Sequence, residues 1–286
     1  MVMNYWIILA IVTFFYCTAC PATGNREYEE QIAARLTETL PMGQLQQIPL
    51  GDTTFIALYD EPIDQQPQGA VILLHGMGGH PDWPEVISPL RNALPQHGWA
   101  TLSIQLPVLG PADPIADYGQ TIEQARARID AALQYLRERR YLNIVMIGYG
   151  FGAAQAADYL AENRSSRVKA LIGISMQARP FLSPRQDLME SLGQIQIPLL
   201  DIYGSRDFYE VTERADERRS AARKGGNRNY AERVIEGADH YYTGLEPILI
   251  RQIRGWLDKA APGVQVKADD EADKKTEEKE KPLNTE

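Results

Sequence analysis

Cysteine is almost absent from this chain. Of its 286 residues only Cys17 and Cys20 carry a thiol, and residues 21–286 hold none. That excludes an internal disulfide and a thiolate metal site in whatever folds after the N-terminus. Histidine is scarce too: zinc on histidine and carboxylate stays open, but the four histidines show no HExxH-like spacing, and neither a metal nor a cofactor is expected. No apolar run is long. The longest, residues 5–16, is too short to span a bilayer as a helix and suits the apolar region of a signal peptide. An excess of positive charge is also lacking. A net charge of −9 argues against a nucleic-acid partner and against electrostatic docking on anionic lipid.

What is present is ordinary for one large α/β domain: 44% hydrophobic and 23% charged residues, enough for a sizeable core. Beyond Pro262 the sequence turns to Lys, Glu and Asp; residues 267–286 carry five lysines against eight acids, net −3, leaving −6 elsewhere. That composition predicts a disordered acidic tail over 262–286. At the other end, residues 1–22 read as an export signal, although its first four residues offer only the terminal amine as positive charge. Cys17-Thr18-Ala19-Cys20 resembles a bacterial lipoprotein box, with cysteine at 17 where leucine is usual. The resemblance implies lipidation at Cys20, attachment to a membrane through the lipidated N-terminus, and a periplasmic location; ordinary cleavage near Ala19 or Ala22 is the alternative.

Residues 26–39 show apolar positions at helical spacing (Tyr28, Ile32, Leu36, Leu40), read as a short amphipathic helix and linker over 23–43. Runs 44–50 and 53–59, joined by Gly51-Asp52, predict an antiparallel hairpin. Short apolar runs then alternate with helix-like segments. The strands are expected at 70–74, 100–105, 144–147, 168–174, 198–203 and 231–235. The helices are expected at 84–95, 120–139, 153–163, 210–224 and 246–260. Such alternation predicts a mostly parallel sheet with helices on both faces. Segment 109–118 reads as a loop, and 177–197 has room for one short helix but no separate lid domain.

Across roughly residues 44–261 the chain resembles the α/β-hydrolase superfamily, with its motifs in the superfamily's order. His75-Gly76-Met77-Gly78-Gly79 follows the first buried strand, as does the HG turn that supplies a backbone N–H to an oxyanion hole. Gly148-Tyr149-Gly150-Phe151-Gly152 has the outline of a G-x-S-x-G nucleophile elbow, with glycine at 150 in place of serine. Asp207 follows the penultimate strand, and His240 the last, where the superfamily carries its acid and base. The HGMGxHPDWP and GADHxY stretches also resemble a bacterial family of envelope-exported α/β-hydrolase-like proteins, a domain of unknown function. The resemblance implies an α/β-hydrolase fold with Asp207 and His240 as catalytic acid and base. It assigns His75, Gly76, Met77, Tyr149 and Phe151 to the oxyanion hole or pocket, although the His75 side chain itself reads as structural. His80 and Asp82 belong to the pocket mouth with Trp83, or else Asp82 caps the following helix and Trp83 packs.

The HG turn and the elbow each have a plainer reading, a glycine-rich turn without a ligand, and a lone Asp or His would read as structural. A glycine at an elbow removes both backbone strain and the attacking atom. Ser175, Ser103 and Ser205 are the serines by topology that stand nearest to a replacement. Three functions follow: a non-catalytic envelope protein binding a small molecule or envelope partner in the remnant pocket; an esterase using an Asp207–His240 pair with water or a displaced nucleophile; or a structural protein acting through its acidic tail.

Overall fold

The computed structural model describes residues 24–40, 44–63, 67–164, 167–178 and 187–263. The expected signal with Cys20 and the tail beyond 263 lie outside the described residues. Strands β3 (Gly69–Leu74), β4 (Trp99–Ile104), β5 (Ile144–Tyr149), β6 (Val168–Ile174) and β7 (Leu199–Gly204) are apolar runs buried almost throughout. Because side chains alternate between faces of a strand, β3 sends Ala70, Ile72 and Leu74 into one core and Val71 and Leu73 into another. Two cores therefore need two layers of helix.

The first layer is α3 (Ile122–Glu138), α4 (Phe151–Glu162) and α5 (Leu188–Gln194). The second is α2 (Ile87–Ala93) and α8 (Glu246–Ala260). With the hairpin β1 (Leu45–Leu50) and β2 (Thr53–Asp60) and the last strand β8 (Tyr230–Ile235), the eight-stranded sheet runs β1-β2-β4-β3-β5-β6-β7-β8. Pairs β1–β2 and β2–β4 are antiparallel and the rest parallel. This is the expected α/β-hydrolase architecture, and the described residues contain no lid domain. No helix among them is long and apolar enough to cross a membrane.

Three expectations shift. Helix α2 starts at Ile87 rather than 84, with Val86 as its cap residue, because turns from His80 to Trp83 and from Trp83 to Ser88 occupy the preceding backbone. Asp82 caps nothing there; its carboxylate accepts from Arg91 Nε and Nη2 at 3.2 and 3.0 Å. The helix expected over 210–224 divides into α6 (Tyr209–Thr212) and α7 (Ala215–Lys224). Finally, α1 (Arg26–Thr39) is docked, although the sequence reads it as part of a linker. Ile32 and Leu36 pack on Ile56 and Val108, and Glu29 Oε2 accepts from Arg128 Nη2 at 2.7 Å.

Candidate functional site

In a parallel sheet of this kind the loops at the carboxyl ends of the strands gather on one edge, where ligands bind. Backbone hydrogen bonds lace those loops sideways. Gly150 N–H donates to Ile174 O (2.8 Å), Ser175 N–H to Ile202 O (2.8 Å), and Ser205 N–H to Ile235 O (3.0 Å). The turns after β5, β6, β7 and β8 are thus fixed against one another before any side chain is placed.

Gly150 sits between β5 and α4 with φ 54° and ψ −116°, a conformation that an L-residue adopts only under strain. A side chain there would nevertheless have room among the described residues, since its Cβ would meet none of their atoms nearer than Gly76 Cα at 4.0 Å. The neighbouring glycines differ. A Cβ on Gly152 would lie 2.3 Å from His75 O, and one on Gly148 2.4 Å from Ala153 Cα, so both are required for α4 to pack against the strand ends. Phe151 heads α4, where the first N–H groups have no acceptor within the helix.

Asp207 and His240 come together. His240 Nδ1 lies 2.7 Å from Asp207 Oδ1, and the same oxygen accepts from Phe208 N–H at 2.7 Å. Asp207 Oδ2 accepts from Ser175 Oγ at 2.5 Å, and Ser175 Oγ lies 3.1 Å from Tyr242 Oη. Ser175 (φ 52°) and Tyr242 (φ 56°) are fully buried and are two of the four described non-glycine residues with positive φ. Backbone strain of this sort persists only where the surroundings over-determine it; here it converges on one carboxylate. Burial pushes the Tyr242 phenol well above its ordinary range, so it stays protonated and donates, to Ile202 O at 3.3 Å among its contacts.

The imidazole of His240 is packed by aromatic rings. Phe208 stacks on it at 4.2 Å, Tyr149 lies 5.1 Å away at 32°, and Tyr241 meets it edge-on at 5.3 Å. Tyr149 also donates from its hydroxyl to His240 O at 3.2 Å, which ties the residue before Gly150 to the histidine. With Nδ1 engaged by Asp207, Nε2 is the side of the ring left for a ligand; among the described residues it has no hydrogen-bond partner. Phe208 and Tyr241, which pack against the imidazole, are themselves exposed, so the approach to it is aromatic.

The remaining sequence candidates separate. Gly76 and Met77 lie in the turn facing Gly150 and Tyr149. His75 turns inward and is almost fully buried. Leu106 N–H donates to its Nε2 at 3.0 Å, which places the ring proton on Nδ1, donated to Gly76 O at 2.7 Å. Burial lowers its pKa to about 3, so it is a neutral brace of the turn. His80 and Asp82 face α1 instead, around a recess of about 300 Å³ lined also by Arg35 and Thr39. Ser103 donates to Pro81 O and Ser205 to Glu236, while Ser175 is wholly committed to Asp207. Among the described residues no cluster of His, Cys, Asp and Glu could hold a metal. Sequence reading missed Phe208, Tyr242 and the bracing role of Ser175; Phe208 beside Asp207 and Tyr242 beside His240 were the available signals.

A family model described as "Protein of unknown function (DUF3530)" matches residues 18–121 and 111–259. The chain belongs to the DUF3530 family. No curated protein matches it. Among solved structures, this DUF3530 protein is similar to the Est1E structure from Butyrivibrio proteoclasticus with ferulic acid bound, at 17% identity and TM-score 0.62, covering 75% of this chain and 98% of that one. A lidless α/β serine hydrolase from Xanthomonas campestris gives 16% identity, TM-score 0.60 and coverage of 78% and 98%. An α/β serine hydrolase homologue from Coxiella burnetii gives 18%, 0.56, and 76% and 98%. Identities this low establish the α/β-hydrolase fold of the DUF3530 protein, not its activity.

Proposed function

We propose that this DUF3530 protein is an exported α/β-hydrolase-fold protein that does not hydrolyse esters through a serine and uses the pocket around Gly150 to bind a ligand. The observation that carries this reading is Gly150 itself: an elbow-like backbone, φ 54° and ψ −116°, with room for a side chain and none present. Covalent acyl transfer needs an activated nucleophile beside the base, and the serines nearest this turn by topology are buried or committed elsewhere. The sequence at Cys20 supports export and lipid attachment as part of the same proposal.

The test is hydrolysis of p-nitrophenyl esters by the wild type, His240→Ala and Gly150→Ser. A silent wild type with activity gained in Gly150→Ser is the expected result. The serine would cost stability of about 1–3 kcal/mol for its strained backbone, without a clash. The 2.7 Å Asp207–His240 hydrogen bond favours a second reading, in which His240 takes a proton from water. Wild-type hydrolysis that vanishes in His240→Ala would replace the first reading with that one.

A further inference from the structure

The site contains a base braced for work beside a space without a side chain. Asp207 is held at both oxygens, by His240 and Phe208 N–H on one and Ser175 on the other. That bracing uses two left-handed, buried residues, Ser175 and Tyr242. It fixes the carboxylate on Nδ1, so a neutral His240 presents Nε2 as a hydrogen-bond acceptor and would receive a donor. His240 is 8% exposed, and among the described residues nothing occupies Nε2. Tyr149, the residue before Gly150, donates to His240 O at 3.2 Å, and the missing side chain at Gly150 leaves a space whose nearest described neighbour is Gly76 Cα, 4.0 Å from a would-be Cβ. The N–H of Phe151, at the head of the 12-residue helix α4 where the helix itself offers it no acceptor, suits a carbonyl oxygen beside Gly150. An acceptor for one O–H, a donor for one C=O and an aromatic mouth together describe two ligand groups meeting, an alcohol and an ester.

We propose that the space at Gly150 takes the primary hydroxyl of a second substrate, and that the Asp207–His240 pair transfers an acyl group from an ester directly to that hydroxyl. The alcohol oxygen forms a bond to the carbonyl carbon, and the bond from that carbon to the leaving alkoxide or aryloxide breaks. The proton of the attacking hydroxyl passes to His240 Nε2 and from there to the leaving oxygen. The products are a new ester and a new alcohol, with no acyl-enzyme, no water consumed and no redox change. This rests on the reading above that Gly150 forms no covalent intermediate. Water is the poorer acceptor because it lacks the carbon that would fill the space of a serine Cβ.

Methanol is the side chain of serine as a free molecule, which makes it the direct probe. The full-length chain, purified in mild detergent, is given p-nitrophenyl acetate with molar methanol, ethanol or tert-butanol, and methyl acetate, acetate and p-nitrophenol are quantified. The expected result is methyl acetate formed in step with p-nitrophenol, about a hundredfold faster than with His240→Ala, the scale of general-base catalysis. The rate falls from methanol to tert-butanol, and Gly150→Ala, which puts a methyl group into the space, abolishes it. Should Gly150→Ala fail to fold, the alcohol-size series decides alone. Methyl acetate no faster than with His240→Ala, or a rate indifferent to alcohol size, overturns the proposal. His240-dependent acetate release without alcohol overturns the non-hydrolytic reading instead, and the methyl acetate yield still decides this one.

Discussion

His75 and His240 show how the same residue type receives opposite tasks from its surroundings. His240 keeps one ring nitrogen for a ligand, whereas both nitrogens of His75 are hydrogen-bonded within the protein. The depressed pKa of His75, about 3 through burial, has a consequence for stability. Below its unfolded pKa of about 6.5 the unfolded chain binds a proton that the folded chain refuses, so unfolding gains. Stability is full above that pH and falls by about 1.4 kcal/mol per pH unit as the pH drops toward the folded value. Urea unfolding between neutral pH and mild acid should show this limb, and His75→Gln should flatten it. An unchanged acid limb in the variant would mean that another group carries the loss.

Among the elements, β7 and α7 are joined by an ion pair with no exposure at either side chain. Arg218 Nε donates to Asp201 Oδ2 at 2.6 Å, Nη1 donates to Val211 O, and the Tyr230 hydroxyl donates to the same carboxylate oxygen. Burial pushes the Asp201 carboxyl upward while Arg218 opposes that shift. Removing one partner leaves a buried charge alone, so Arg218→Met is expected to cost about 3–5 kcal/mol in chemical denaturation. Replacing Asp201 as well, with Asn, should return part of that loss. A double variant no better than the single one would show that packing of the arginine stem, not charge, holds α7 in place.

For the molecule as a whole, the telling element is α1. Its Glu29 is only 12% exposed and bonds both Arg128, 5% exposed, and Val108 N–H. Glu29→Ala is therefore expected to destabilise the entire domain by about 3–5 kcal/mol, as loss of a buried partner does. A linker residue would change stability by less than about 0.5 kcal/mol, and a thermal or urea melt tells the two apart.

Much of this molecule was legible in order along the chain. Continuous apolar runs gave the parallel strands, because burial on both faces leaves no room for polar alternation. The turns carrying Gly76, Gly150, Asp207 and His240 stood after the right strands, since a parallel sheet gathers its carboxyl ends on one edge. Glycine at 150 was a fact of sequence, and with it the absence of a side chain to attack. The docking of α1 was not legible: its amphipathic pattern says that one face is buried but not against what. Nor was the inward turn of His75, the departure of His80 and Asp82 toward α1, or the bracing of Asp207 by Ser175 and Tyr242. The turn of His75 and the bracing of Asp207 depend on hydrogen bonds between residues 31 to 67 positions apart and on two left-handed dihedrals, and the place of His80 and Asp82 on how α1 docks. Local sequence sets which residues lie at strand ends; only the closed sheet, packed from both faces, decides which of them touch.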